Sequence, residues 1–140
     1  MFIECNDASC SLDDHSTCCN RQLTRRESPA MNVIPMTGKG FGLLAMEPIL
    51  KGRFVIEYIG EVIDDDEMIS RLQTCKMNGE KHFYLMEIER DAVIDARYRS
   101  NAARFINHSC NPNCATQKWY VYGINIYILL RYLQNTLLGM

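Results

Sequence analysis

Arg104-Phe105-Ile106-Asn107-His108-Ser109-Cys110-Asn111-Pro112-Asn113-Cys114 is the stretch on which the reading of this chain turns. Side chains that donate and accept hydrogen bonds crowd around two apolar anchors, Phe105 and Ile106. Asn107, Asn111 and Pro112 impose irregular backbone, so residues 101–105 have room for one helical turn at most. Irregular backbone beside apolar anchors is where sites tend to be built. From the residues alone the simpler reading is a hydrogen-bonded core turn with a satisfied histidine, and a binding site is the alternative.

Upstream, residues 92–95 read as a short strand and residues 82–88 as another, with Tyr84, Met86 and Ile88 on one side. The clear helix lies before them. Asp64 serves as N-cap, Glu67 three residues on as capping-box partner, and Met68, Ile69, Leu72 and Cys75 fall on one face until Asn78-Gly79 ends it. Residues 53–63 are rich in β-branched and aromatic side chains and read as a buried strand pair kinked at Gly60. Two short apolar runs, 31–36 and 43–46, flank Gly38-Lys39-Gly40-Phe41-Gly42. That turn is either a plain hairpin or a place of close backbone approach to a ligand. Its spacing excludes the dinucleotide and nucleoside-triphosphate fingerprints.

Downstream, Arg131 is the only charged residue of 119–140. A membrane span needs ~20 predominantly apolar residues, and Arg131, Gln134, Asn135 and Thr136 interrupt too early. The segment reads as a strand or helix packed on the core, or as one foreign to the fold.

The chain has 140 residues, 47% of them apolar and 23% charged, which suits one globular domain. Fifteen basic and seventeen acidic side chains leave a net charge of -2, unlike a domain that grips bare nucleic acid. Seven cysteines are many and odd in number, and the amino terminus has no apolar signal core, which disfavours a secreted disulfide scaffold. Cys5, Cys10, Cys18 and Cys19, with His15, lie in a polar stretch that lacks the periodicity of a core and calls for an external staple. Zinc takes four thiolate or imidazole ligands; scattered reduced cysteines in a loop are an equal alternative.

Taken in order, Gly38-Lys39-Gly40-Phe41-Gly42, Glu57-Tyr58-Ile59-Gly60-Glu61 and the 104–114 run resemble the SET domain of protein-lysine methyltransferases. Glu4-Cys5, Cys18-Cys19-Asn20-Arg21 and Ala115-Thr116-Gln117-Lys118-Trp119 are similar to the branch that carries a zinc-binding AWS segment and methylates histone H3, typically at lysine 36. The resemblance implies an α+β, mostly β fold of short strands with a pseudoknot-like segment and one clear helix, incomplete at the C-terminus. It divides the chain into a partial AWS segment (1–25), an incomplete SET domain (31–123) and a divergent apolar tail (124–140).

The same resemblance implies S-adenosyl-L-methionine as cofactor. It assigns cofactor contacts to Lys39, Gly40 and Phe41 on the turn, to His82, Phe83 and Tyr84, and to Asn107 and His108 with Arg104 in support. Tyr58 matches the catalytic lysine channel, where an aromatic wall takes the lysine stem; a plain core tyrosine is the bland alternative. Cys5, Cys10 and Cys18 match zinc ligands, as does Cys110, whose three downstream partners have no counterpart here. Ser100 stands where relatives carry a glycine, and after Gly123 the final tyrosine-bearing motif is not found, so the chain is expected to be truncated at both ends. The expected function is histone-lysine N-methylation of the histone H3 tail in nucleosomes, in the nucleus and on the chromosome, with neither sequence-specific nucleic acid nor membrane as partner. The alternative is an inactive protein that only binds cofactor or other proteins.

Overall fold

The structure, a computed structural model, describes residues 2–121 and 125–133. It divides into two compact units, Met1–Glu57 with Phe105–Met140, and Tyr58–Arg104. Short strands and one α-helix make up the regular structure among the described residues, the mostly β, α+β composition expected.

In the first unit, β1 (Phe2–Ile3), β4 (Phe54–Glu57), β8 (Cys114–Val121) and β9 (Asn125–Tyr132) form a sheet in the order β1-β8-β9-β4. β8 and β9 are an antiparallel hairpin registered from Cys114↔Tyr132 to Val121↔Asn125. β1 runs parallel to β8, and β4 antiparallel to β9. Of the segment left open between strand, helix and foreign piece, residues 125–132 therefore supply a strand of the sheet, while 134–140 lie outside the described residues. Consecutive Ile128, Leu129 and Leu130 are all buried, as in a strand covered on both faces. Leu129 joins Leu23, Phe54, Trp119 and Val121 in the core. Trp119 also stacks on Phe2 with ring centroids 5.3 Å apart, and the Arg131 guanidinium lies 4.4 Å from its ring. No helix among the described residues is long and apolar enough to cross a membrane.

A second hairpin of this unit pairs β2 (Met31–Met36) with β3 (Gly40–Ala45), Met36 facing Gly40. Gly38 and Gly40 take φ of +75° and +73° at the turn, a conformation that glycine adopts without strain. β3 starts three residues earlier than the apolar run 43–46 suggested, because pairing to β2 carries it to the turn.

In the second unit, β5 (Glu61–Ile63), β6 (Leu85–Glu89) and β7 (Ala92–Asp95) form a sheet in the order β5-β7-β6, beside α1 (Asp65–Met77). The Asp64 carboxylate accepts the Glu67 N–H at 2.8 Å, as expected of the N-cap, while the Glu67 carboxylate is taken by Arg71 Nε at 2.6 Å. Asn78 caps the other end, followed by Gly79 at φ +70°.

Three expectations need correction. Ile69 is 49% exposed, because the inward stripe of α1 follows Met68, Leu72 and Cys75 at i, i+4 and i+7 and Ile69 lies to one side of it. The strand expected over 82–88 begins only at Leu85, although the Tyr84 carbonyl still accepts the Ala96 N–H at 2.8 Å. The run 53–63 is not one kinked strand pair but β4 and β5, which belong to different sheets. Residues 102–105 form a single 3-10 turn, as the sequence suggested.

Candidate functional site

Near the amino terminus the Sγ atoms of Cys5, Cys10 and Cys18 lie within 4.8 Å of one another. Short local devices fold the loop that gathers them. The Asn6 side chain accepts the N–H groups of Ala8 and Ser9, each at 2.9 Å, which turns the chain toward Cys10. The Asp14 carboxylate caps the one-turn 3-10 helix His15–Thr17, which delivers Cys18 to the interior. Asn20 closes the loop, accepting the Cys5 N–H at 3.0 Å and donating to the Ile3 carbonyl at 2.9 Å. The Asn20 backbone N–H also holds the Cys18 thiol below its ordinary pKa against the opposing effect of burial, which favours the thiolate that a metal requires. Cys19 is exposed and His15 Nδ1 sits 3.2 Å from Asp7 Oδ1, so neither belongs to the cluster.

Glu4 was not anticipated. It is 2% exposed, and its carboxylate accepts the Leu23 N–H at 2.7 Å, the Thr24 N–H at 3.0 Å and the Thr24 hydroxyl at 2.6 Å. An acidic residue beside a cysteine gives no local sign that it will be buried.

The first unit also holds a cavity of about 540 Å³. Lys39 from the β2–β3 turn and Asn107 and His108 from the loop before β8 line it, with Met36, Leu43 and Val55. Asn107 Nδ2 donates to the Phe41 carbonyl at 3.0 Å, and the Phe41 ring meets Phe105 edge-on at 5.9 Å. The apolar anchor of the 104–114 run thus grips the glycine turn. A Cβ at Gly42 would run into the flexible end of the Met36 side chain and lie 3.4 Å from Asn107 Nδ2, so the close approach here suits a glycine. Gly40 opens β3 at the edge of this arrangement. Cys114 and Tyr132 also line the cavity, which their position in the sequence did not suggest. Cys110 is exposed, with its Sγ 3.9 Å from His108 Nε2.

In the second unit, Tyr58, Tyr84 and Arg104 come together. Burial raises the Tyr58 phenol pKa above its ordinary value, against the nearby Arg104 charge and aided by Asp95 and Tyr84. The Arg104 guanidinium stands 4.1 Å from the centroid of the Tyr84 ring. His82 and Phe83 precede β6 outside regular structure, with exposed side chains. Asp95, 1% exposed, receives Arg97 Nη2 at 2.7 Å and Arg71 Nη1 at 2.9 Å. Burial pushes its pKa up, but these hydrogen bonds outweigh that and hold it at about 2.

Small sheets, one helix and an irregular polar loop gripping a glycine turn define a class of domain in which loops rather than sheet faces carry the chemistry. The SET domain family matches residues 40–136, and the chain belongs to that family. It is 47% identical over 118 residues to the histone-lysine N-methyltransferase ASHH3 of Arabidopsis thaliana, an alignment covering 83% of this chain and 32% of that protein. It is 41% identical over 123 residues to the histone-lysine N-methyltransferase SETD2 of Homo sapiens, covering 88% of this chain and 5% of the relative. A histone-lysine N-methyltransferase of Mycosarcoma maydis described as H3 lysine-36 specific is 39% identical over 119 residues, 85% of this chain and 12% of its own. The chain thus spans a third or less of the length of these curated relatives.

Proposed function

We propose that this chain is the methyl-transfer portion of a histone-lysine N-methyltransferase that uses S-adenosyl-L-methionine and acts on the histone H3 tail in nucleosomes, at lysine 36. The observation that supports this most directly is the cavity of the first unit, where Lys39, Asn107 and His108 meet an apolar lining. Its mixed character fits a cofactor with a charged amino-acid end and a flat, largely apolar adenosyl end. When bound, the cofactor supplies an electrophilic methyl group on a sulfonium. The part left to the protein is to position reactants and exclude water.

The bond from Asn107 to the Phe41 carbonyl fixes the orientation of the carboxamide and leaves its acceptor end for an ammonium group. Lys39 and His108 offer charge and a ring nitrogen on the same wall. Tyr58, a buried phenol whose pKa burial raises further, suits an aromatic wall for a lysine side chain, and Tyr84 suits the cofactor contact that its position in the family pattern implies. Cys5, Cys10 and Cys18 form an AWS-like thiolate site for zinc, with the staple role that a coreless segment needs. A histone substrate implies a nuclear, chromosomal location, and the H3 lysine-36 specificity in the description of the Mycosarcoma maydis relative supports lysine 36.

Asn107→Ala is expected to weaken S-adenosyl-L-methionine binding about tenfold, the worth of one hydrogen bond of about 1.4 kcal/mol. Calorimetric titration checks this, and an unchanged affinity would take Asn107 out of the site. Radiolabelled methyl transfer to nucleosomes, compared with nucleosomes in which lysine 36 of histone H3 is replaced, tests the reaction itself. Cofactor binding without transfer from the protein in its full length would favour the binding-module alternative.

A further inference from the structure

Arg97 has no part in the function proposed above, yet three lines of bonding in the second unit meet on it. Asp95 accepts the Arg97 backbone N–H at 3.0 Å, Nε at 3.0 Å and Nη2 at 2.7 Å, so one buried carboxylate fixes both the main chain and the side chain of residue 97. Nη1 of Arg97 also contacts the buried Cys75 thiol of α1. With the residue held on these sides, the direction of its carbonyl is set. That carbonyl accepts Arg104 Nη1 at 2.9 Å, and Arg104 Cζ lies over the Tyr84 ring, 4.1 Å from its centroid. One residue earlier, the Ala96 N–H holds the Tyr84 carbonyl at 2.8 Å. Tyr84 is thus held by its backbone and by its ring, and both holds lead back to residues 95–97.

We infer that Arg97 is a positioning residue: locked by Asp95, it aims Arg104 onto the ring of Tyr84 and so sets the orientation of that ring. A planar guanidinium stacked on an aromatic face is directional, and its attraction falls quickly once the plane is lost. Arg104 Nη1 also lies 3.4 Å from Ser100 Oγ, and the shorter bond to the Arg97 carbonyl is the one that ties its aim to residue 97. The consequence for cofactor binding rests on the reading of Tyr84 given under the proposed function; the positioning does not.

The test is a fluorine NMR experiment on the whole chain labelled with 3-fluorotyrosine, the Tyr84 resonance being assigned by its loss in Tyr84→Phe. Arg97→Gln and Arg104→Gln are expected to move or broaden the Tyr84 resonance alike, and the double variant no further than either single one. The resonance of Tyr120, in the first unit, should stay where it is. A Tyr84 resonance that moves in Arg104→Gln but not in Arg97→Gln would overturn the inference. Should Arg97→Gln fail to fold, Arg97→Lys takes its place: lysine keeps the charge but not the fork, and an unmoved Tyr84 resonance there would likewise overturn it. In a calorimetric arm, Arg97→Gln should lower S-adenosyl-L-methionine affinity about two- to fivefold, the worth of a cation–π contact, and have no effect in a Tyr84→Ala background. A moved resonance with unchanged affinity supports the positioning and removes Tyr84 from the cofactor site.

Discussion

Asp95→Asn is expected to lower the stability of the chain by about 3–5 kcal/mol, the range for removing one partner of a buried ion pair. The carboxylate side chain is fully buried between Arg71 and Arg97, and asparagine would take the countercharge from Arg97 and one of three from Arg71. Arg71 would keep Glu61 of β5 and Glu67 of α1, so the larger loss falls on Arg97. Urea unfolding measures it: with a slope of about 1–3 kcal/mol per molar, the midpoint should fall by a molar or more. A midpoint within error of the parent would mean that the pair contributes little.

The same group gives a pH dependence with a definite sign. Its folded pKa of about 2 lies below the ordinary 3.8. The unfolded chain therefore binds the proton first, and the contribution of Asp95 is complete above pH 3.8 and lost as pH falls from there toward 2. Asp95→Asn should lack that part of the acid slope, which separates this group from the exposed acids that titrate nearby.

Glu4→Ala carries the second large effect, again about 3 kcal/mol or more, because three hydrogen bonds to a buried charge vanish and two backbone N–H groups are left behind. Its reach extends to the thiols. Glu4 precedes Cys5 in the chain and ties it to Leu23 and Thr24, just beyond the Asn20 that holds Cys5. Groups bonded directly to the ligands change metal affinity 10- to 100-fold, and Glu4, acting on Cys5 through the backbone, is expected to reach about the lower end of that range. Titration with cobalt(II), followed by its thiolate absorption, is expected to show that loss in Glu4→Ala and a smaller one in Glu4→Gln, which keeps an acceptor. Equal cobalt affinity in the parent and Glu4→Ala would separate the buried carboxylate from the metal site.

Much of the local structure was legible in the residues. The Asp64 cap, the Asn78-Gly79 stop, the strand 92–95 and the glycine turn between β2 and β3 all depend on atoms within a few positions of one another. Side-chain caps and positive-φ glycines act at that range. The motifs around Gly40, Tyr58 and Asn107 were legible for a different reason, since short strings of unusual composition identify the SET domain family whatever their distance in the chain.

What only the tertiary structure decided concerns partners far apart in sequence. Asn107 meets the Phe41 carbonyl across 66 positions and Glu4 reaches Thr24 across 20, and no periodicity links them. Composition left Cys18 and Cys19 open and the family resemblance implied Cys18; the structure brings Cys18 to Cys5 and Cys10 and leaves Cys19 exposed, because adjacent side chains on a short turn point in different directions. Residues 125–132 read equally as strand, helix or a segment foreign to the fold until the β8 ladder claimed them, since a run buried on both faces has no alternation to show. Asp95 and Arg97 look in sequence like two more surface charges. Their burial follows from where β7 and α1 pack, and from the requirement that a charge taken out of water be paired.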